Sequence, residues 1–140
     1  MFLDQMATMK YPKLYVVFES PRYGNYYHWA LQIENGEESI VFEVEGEHPQ
    51  FVRKVLEIKA EESGSFLGKE YVGVISKPDI QRVKDVASTI HVDNETVEWD
   101  CQDYVLEILD KLEEDYILDE NDGDYRDARA ILKDKRGSMA

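Results

Sequence analysis

The residues with nucleophilic or acid–base chemistry near neutral pH are few: one cysteine, Cys101, and three histidines, His28, His48 and His91. A thiolate attacks carbonyl carbon, and an imidazole within reach takes the thiol proton and later returns it to a leaving group. Cys101 opens an apolar stripe (Cys101, Tyr104, Val105, Ile108, Leu109 and Leu112) at helical spacing. Asp100 is placed to cap that helix and Asp103 falls three residues on, a variant of the capping box. The unpaired N–H groups of a helix start stabilise a thiolate, but neighbouring carboxylates raise a thiol pKa, so an active Cys101 needs a cation such as imidazolium. The same stripe reads equally as core, because free cysteine is among the most buried residue types.

His48 lies in a Gly-Glu-His-Pro loop and His91 follows a helix end, positions that suit solvated side chains. His28 differs. It sits in a β-rich run, residues 26–33 (YYHWALQI), flanked by Tyr26, Tyr27 and Trp29. Strand alternation puts Trp29, Leu31 and Ile33 on one face and His28, Ala30 and Gln32 on the other.

The elements that must position these groups follow from periodicity. Strands are expected at 13–19 (KLYVVFE), 26–33 and 39–45 (SIVFEVE), with Asn35-Gly36 turning the second into the third. Residues 50–60 are read as a fourth strand, although a short helix also fits, and 66–75 (FLGKEYVGVI) as its hairpin partner across Glu61-Glu62-Ser63-Gly64. After Pro78 the period becomes helical, with Ile80, Val83, Val86 and Ala87 on one face. The Cys101 helix and a last helix over 125–135 complete an α+β domain: an antiparallel sheet of about five strands with three helices. Residues 1–12 read as a flexible arm, 13–135 as a single domain and 136–140 as a disordered tail.

His28-Trp29-Ala30-Leu31 before a hairpin, and later Trp99-Asp100-Cys101-Gln102-Asp103-Tyr104 opening a helix, resemble the circularly permuted branch of the NlpC-type papain-like superfamily. That branch includes the lecithin:retinol acyltransferase-like and PPPDE-type proteins, and small fungal proteins with HWAL and NCQ motifs are similar. The resemblance spans the order of elements over roughly residues 13 to 115, though its sharp part is only about ten residues long. It implies a papain-like fold in which the histidine strand precedes the cysteine helix. It also implies a thiol hydrolase or acyltransferase acting on acyl, amide or peptide-like substrates through a thioester. Two positions depart from the pattern. Asp100 stands where relatives have asparagine, and the third polar member, a histidine in relatives, is absent. Glu43 is the best substitute, and Glu45 shares its face. A carboxylate orients an imidazole by accepting its N–H. For the oxyanion and the surrounding pocket the resemblance points to the Cys101 backbone N–H with Gln102, Tyr26 and Trp29 nearby.

Sixteen basic against thirty acidic residues give a net charge of −14. Such a surface disfavours nucleic acid and anionic membranes and attracts basic partners. A lone cysteine forms no internal disulfide and suits a reducing, cytoplasmic setting. No apolar run is long enough to span a membrane. Asp119, Glu120, Asp122 and Asp124 lack the alternation of a calcium loop, and Cys/His spacings offer no metal pair or cofactor motif. Two other functions remain in view: a non-catalytic papain-like binding module, and an acidic interaction protein.

Overall fold

The computed structural model describes residues 11–138. Strands β1 (Lys13–Glu19), β2 (His28–Asn35), β3 (Glu38–Glu45), β4 (Val52–Leu56) and β5 (Phe66–Val74) are followed by helices α1 (Asp79–Thr89), α2 (Cys101–Glu114) and α3 (Gly123–Lys135). This is the expected α+β arrangement, a five-stranded antiparallel sheet in the order β4-β3-β2-β1-β5 with three helices. The expected flexible arm lies outside the described residues, apart from Tyr11 and Pro12.

Two hairpins make the centre of the sheet. β2 and β3 turn at Asn35-Gly36, where Gly36 adopts φ 67°, a left-handed conformation that glycine reaches without a Cβ clash. β1 pairs with β2 in unbroken register, Leu14 against Ile33, Val16 against Leu31 and Glu19 against His28. The strand at 66–75 is not the hairpin partner of β4. It pairs with β1, so β4 and β5 occupy opposite edges of the sheet. The segment between them carries a single 3₁₀ turn, Ala60–Glu62, where the Ala60 N–H donates to Gln32 Oε1 at 2.8 Å and Gln32 Nε2 donates to Glu61. Those bonds tie the connection to β2 in the middle of the sheet, a long-range arrangement that a local turn signal does not reveal.

The main core lies between one sheet face and the helices. Leu14, Val16, Trp29, Leu31, Ile33, Phe42 and Val44 pack with Val83, Ala87, Tyr104, Val105, Ile108, Leu112 and Leu132. α2 begins with the expected capping box: Asp100 Oδ1 accepts from the Gln102 N–H at 2.8 Å, and Asp103 Oδ2 accepts from the Asp100 N–H at 2.9 Å. On the other sheet face Val17, Ala30, Val41 and Ala60 form a small second cluster. Arg136 donates to Gln102 Oε1 and Asp103 Oδ2, and the Gly137 N–H donates to Gln102 Oε1, so these residues brace the start of α2. Met139 and Ala140 lie outside the described residues. No helix among the described residues is long and apolar enough to cross a membrane.

Candidate active site

His28 is the first residue of β2, and Cys101 the first residue of α2. His28 and Glu43 have the parity of the face opposite the helices, whereas Cys101 packs in the helix-side core. They meet at the end of the sheet, where Arg22, Tyr23, Tyr26, His28, Gly46 and Cys101 line one crevice of about 10 Å³. Residues far apart in sequence are therefore brought together, as a thiol–imidazole site requires.

His28 Nε2 lies 3.0 Å from Glu43 Oε1, and both side chains are buried. Burial works to raise the Glu43 pKa, but the hydrogen bond and charge of His28, together with Arg22, outweigh it and hold the carboxyl below its ordinary value of 4.5. An ionised carboxylate only accepts, so Nε2 carries the proton in the neutral ring and Nδ1 keeps a lone pair. Glu43 is thus the carboxylate bonded to the His28 ring. Glu45 is bound to Arg22 instead.

Arg22 and Glu19 are the members that sequence reasoning missed. Arg22 Nη1 donates to Glu43 Oε2 at 3.0 Å and also meets Glu45, while Nη2 donates to Glu19 Oε1 at 2.5 Å. Burial alone would lower the Arg22 pKa, but Glu43 and Glu19 hold it above its ordinary value. The Ser20-Pro21-Arg22-Tyr23-Gly24-Asn25 string carries a strong turn signal, which masks the arginine, and Glu19 reads as an ordinary strand end. Glu19, His28 and Glu43 also offer ligand atoms within 4.8 Å of one another, a group of metal-competent donors that linear Cys/His spacing did not show. The Arg22 guanidinium is bonded to both of those carboxylates.

The thiol is strongly protonated. Burial is the main cause that pushes Cys101 up to about 12 from 9.0, and the charges of Asp100 and Glu43 add to it. The Trp29 backbone N–H bonded to the sulfur, and the charge of Arg136, act in the opposite direction without overcoming it. Among the described residues no hydrogen bond joins the sulfur to His28. The opposing effect of carboxylates, expected from Asp100 and Asp103, thus arises from Asp100 together with Glu43.

Three residues expected around the oxyanion have different surroundings. Gln102 is fully buried, donates to Tyr27 O at 2.9 Å and accepts from Arg136 and Gly137, so its side chain braces the helix start and is unavailable to an oxyanion. Trp29 points into the core, edge-on to Phe18, and it is its backbone N–H that reaches the sulfur. Tyr26 does line the crevice. Burial, then the charges of Cys101 and Asp100, raise its hydroxyl to about 12, so it remains an O–H donor at neutral pH.

Comparison with curated proteins and with solved structures found no match. A family model does match, over residues 14–119, a stretch that contains His28, Glu43 and Cys101: the chain belongs to DUF6540, a family of unknown function.

Proposed function

We propose that the protein is a cysteine-dependent acyl-transfer enzyme of papain-like type, a hydrolase or acyltransferase working through a thioester on Cys101. The observation that carries this reading is the convergence of Cys101 and His28 on one crevice, with Glu43 bonded to the far side of the imidazole. When a carbonyl substrate enters, His28 Nδ1 accepts the thiol proton as the sulfur attacks. The C–S bond forms, and the leaving group departs with the proton from the imidazolium. Glu43 accepts the Nε2–H and balances the transient charge. The oxyanion meets the backbone N–H of Cys101 at the start of α2 and the Tyr26 hydroxyl. Water, an amine or an alcohol then attacks the thioester with His28 taking its proton, the C–S bond breaks, and that proton returns to the Cys101 sulfur as the acyl product leaves. A thiol held at about 12 means that the proton moves during attack rather than beforehand. An acyl, amide or peptide-like substrate must also widen the crevice by displacing the exposed Tyr23.

The test is acylation by p-nitrophenyl acetate followed by intact-protein mass spectrometry. Wild type should gain one acetyl group on Cys101, Cys101→Ala none, and His28→Ala should acylate about 100-fold more slowly or worse. Equal acylation of wild type and His28→Ala would overturn the enzyme. The tightness of the crevice and the protonated thiol favour a second reading, a non-catalytic binding module of the same fold. In that case Cys101→Ala retains every ligand interaction and wild type never acylates.

A further inference from the structure

Glu43 lies at 2% exposure, and a carboxylate so buried keeps its charge only when paired. Its two oxygens have separate partners: Oε1 meets His28 Nε2 and Oε2 accepts from Arg22 Nη1, each at 3.0 Å. The same guanidinium reaches Glu19, itself 4% exposed, and Glu45. One cation therefore serves three carboxylates, two of them buried. A planar guanidinium with five donors suits this, whereas a single ammonium reaches fewer acceptors.

We propose that Arg22 is a positioning residue of the candidate site: its guanidinium keeps Glu43 ionised and fixed in place, so that Glu43 holds the His28 ring by Nε2 and leaves Nδ1 for the Cys101 thiol. The inference rests on the thiol reading above. The groups around Glu43 are Glu19 from β1, His28 from β2, Glu45 on its own strand, the exposed Lys54 opposite it on β4, Cys101 at the tip of α2, itself flanked by Asp100, and Arg22. Without Arg22, Glu19 and Glu43 lose their shared counter-ion, and a proton must enter the pair. A protonated Glu43 no longer balances an imidazolium. Acylation then needs a higher pH to ionise Glu43, and its acid limb moves upward.

The experiment follows acylation of the full chain by p-nitrophenyl acetate against pH, with a ¹³C NMR titration of the Glu43 carboxyl that reads the same event without turnover. Arg22→Met should acylate about 10-fold more slowly and show an acid limb and a Glu43 midpoint both raised by about one pH unit, each unit being one decade. Arg22→Lys should recover part of all three, which loss of packing alone does not explain. Circular dichroism checks folding. Should Arg22→Met fail to fold, Arg22→Lys carries the test, with smaller shifts expected in the same direction. Variants that match wild type in rate, acid limb and Glu43 midpoint overturn this inference alone, provided that wild type acylates through Cys101 and His28. A wild type that never acylates overturns the thiol reading and this inference with it.

Discussion

The two faces of the sheet are drawn from the same strands yet are held by different physics. Toward the helices, Leu14, Val16, Trp29, Leu31, Ile33, Phe42 and Val44 are buried against other apolar side chains. Away from them, the buried apolar residues are Val17, Ala30, Val41 and Ala60, with Leu56 and Phe66 packed against them, and the other buried groups include Glu19, His28, Gln32 and Glu43. The first face stabilises by removing hydrocarbon from water. The second stays buried only because each polar group has a partner: Gln32 with Ala60 and Glu61, and Glu43 with His28 and Arg22. Period-two alternation sorts side chains between faces but does not say what covers each one. Here the polar face ends beside the first residue of α2, which places a thiol next to ionisable groups.

The sharpest contrast comes from neighbouring residues on β2. Leu31→Ala, at a position with no exposure, should lower unfolding stability in urea by about 2–5 kcal/mol. A loss below about 1 kcal/mol would mean that the helix-side face is not the main source of stability. Gln32→Ala, on the opposite face, should cost about 1–3 kcal/mol, because it strands the Ala60 N–H and releases Glu61. Hydrogen exchange at Ala60 should rise with it, and an unchanged Ala60 amide would break the account of the connection between β4 and β5.

The junction of the faces is tested by alkali. The folded Cys101 thiol titrates near 12 and an ordinary one at 9.0, so above about pH 9 the unfolded chain loses a proton that the folded chain keeps. Stability should fall as pH rises through that window, by up to about 1.4 kcal/mol per pH unit, and the fall should be smaller in Cys101→Ala. Parallel pH profiles for the two proteins would contradict a buried, charge-flanked thiol. The smallest effect is at the acid end. Glu43 titrates below its ordinary value when folded, so its contribution is present above about pH 4.5 and is lost as pH falls through the folded value. The stability gap between wild type and Glu43→Gln should therefore narrow below about pH 4.5, as denaturant titrations at a series of pH values would show.

Much of the architecture could be read from the chain. β1 matches the expected boundaries, β2 and β3 lie within two residues of theirs, and the cap of α2 rests on the same pair of aspartates that mark it in the sequence. These are local signals, set by alternation, helical spacing and side-chain bonds within three residues. Of the candidate site, Cys101, His28 and Glu43 were identifiable by residue type, order and resemblance. Arg22 and Glu19 were not, because their role is created by a turn that folds back on strand ends. Gln102 was misjudged for a related reason: its neighbour carries the thiol, but its own side chain points toward Tyr27, Arg136 and Gly137.

By itself the sequence determined where the chain extends, where it coils, and which side chains share a face, since each of these depends on neighbours a few positions away. Only the tertiary structure decided that β5 pairs with β1 rather than β4, that Arg22 bridges Glu19, Glu43 and Glu45, and that the Cys101 thiol is kept protonated. Sheet order and electrostatics depend on groups distant in sequence, and burial changes the worth of a charge by more than residue identity does.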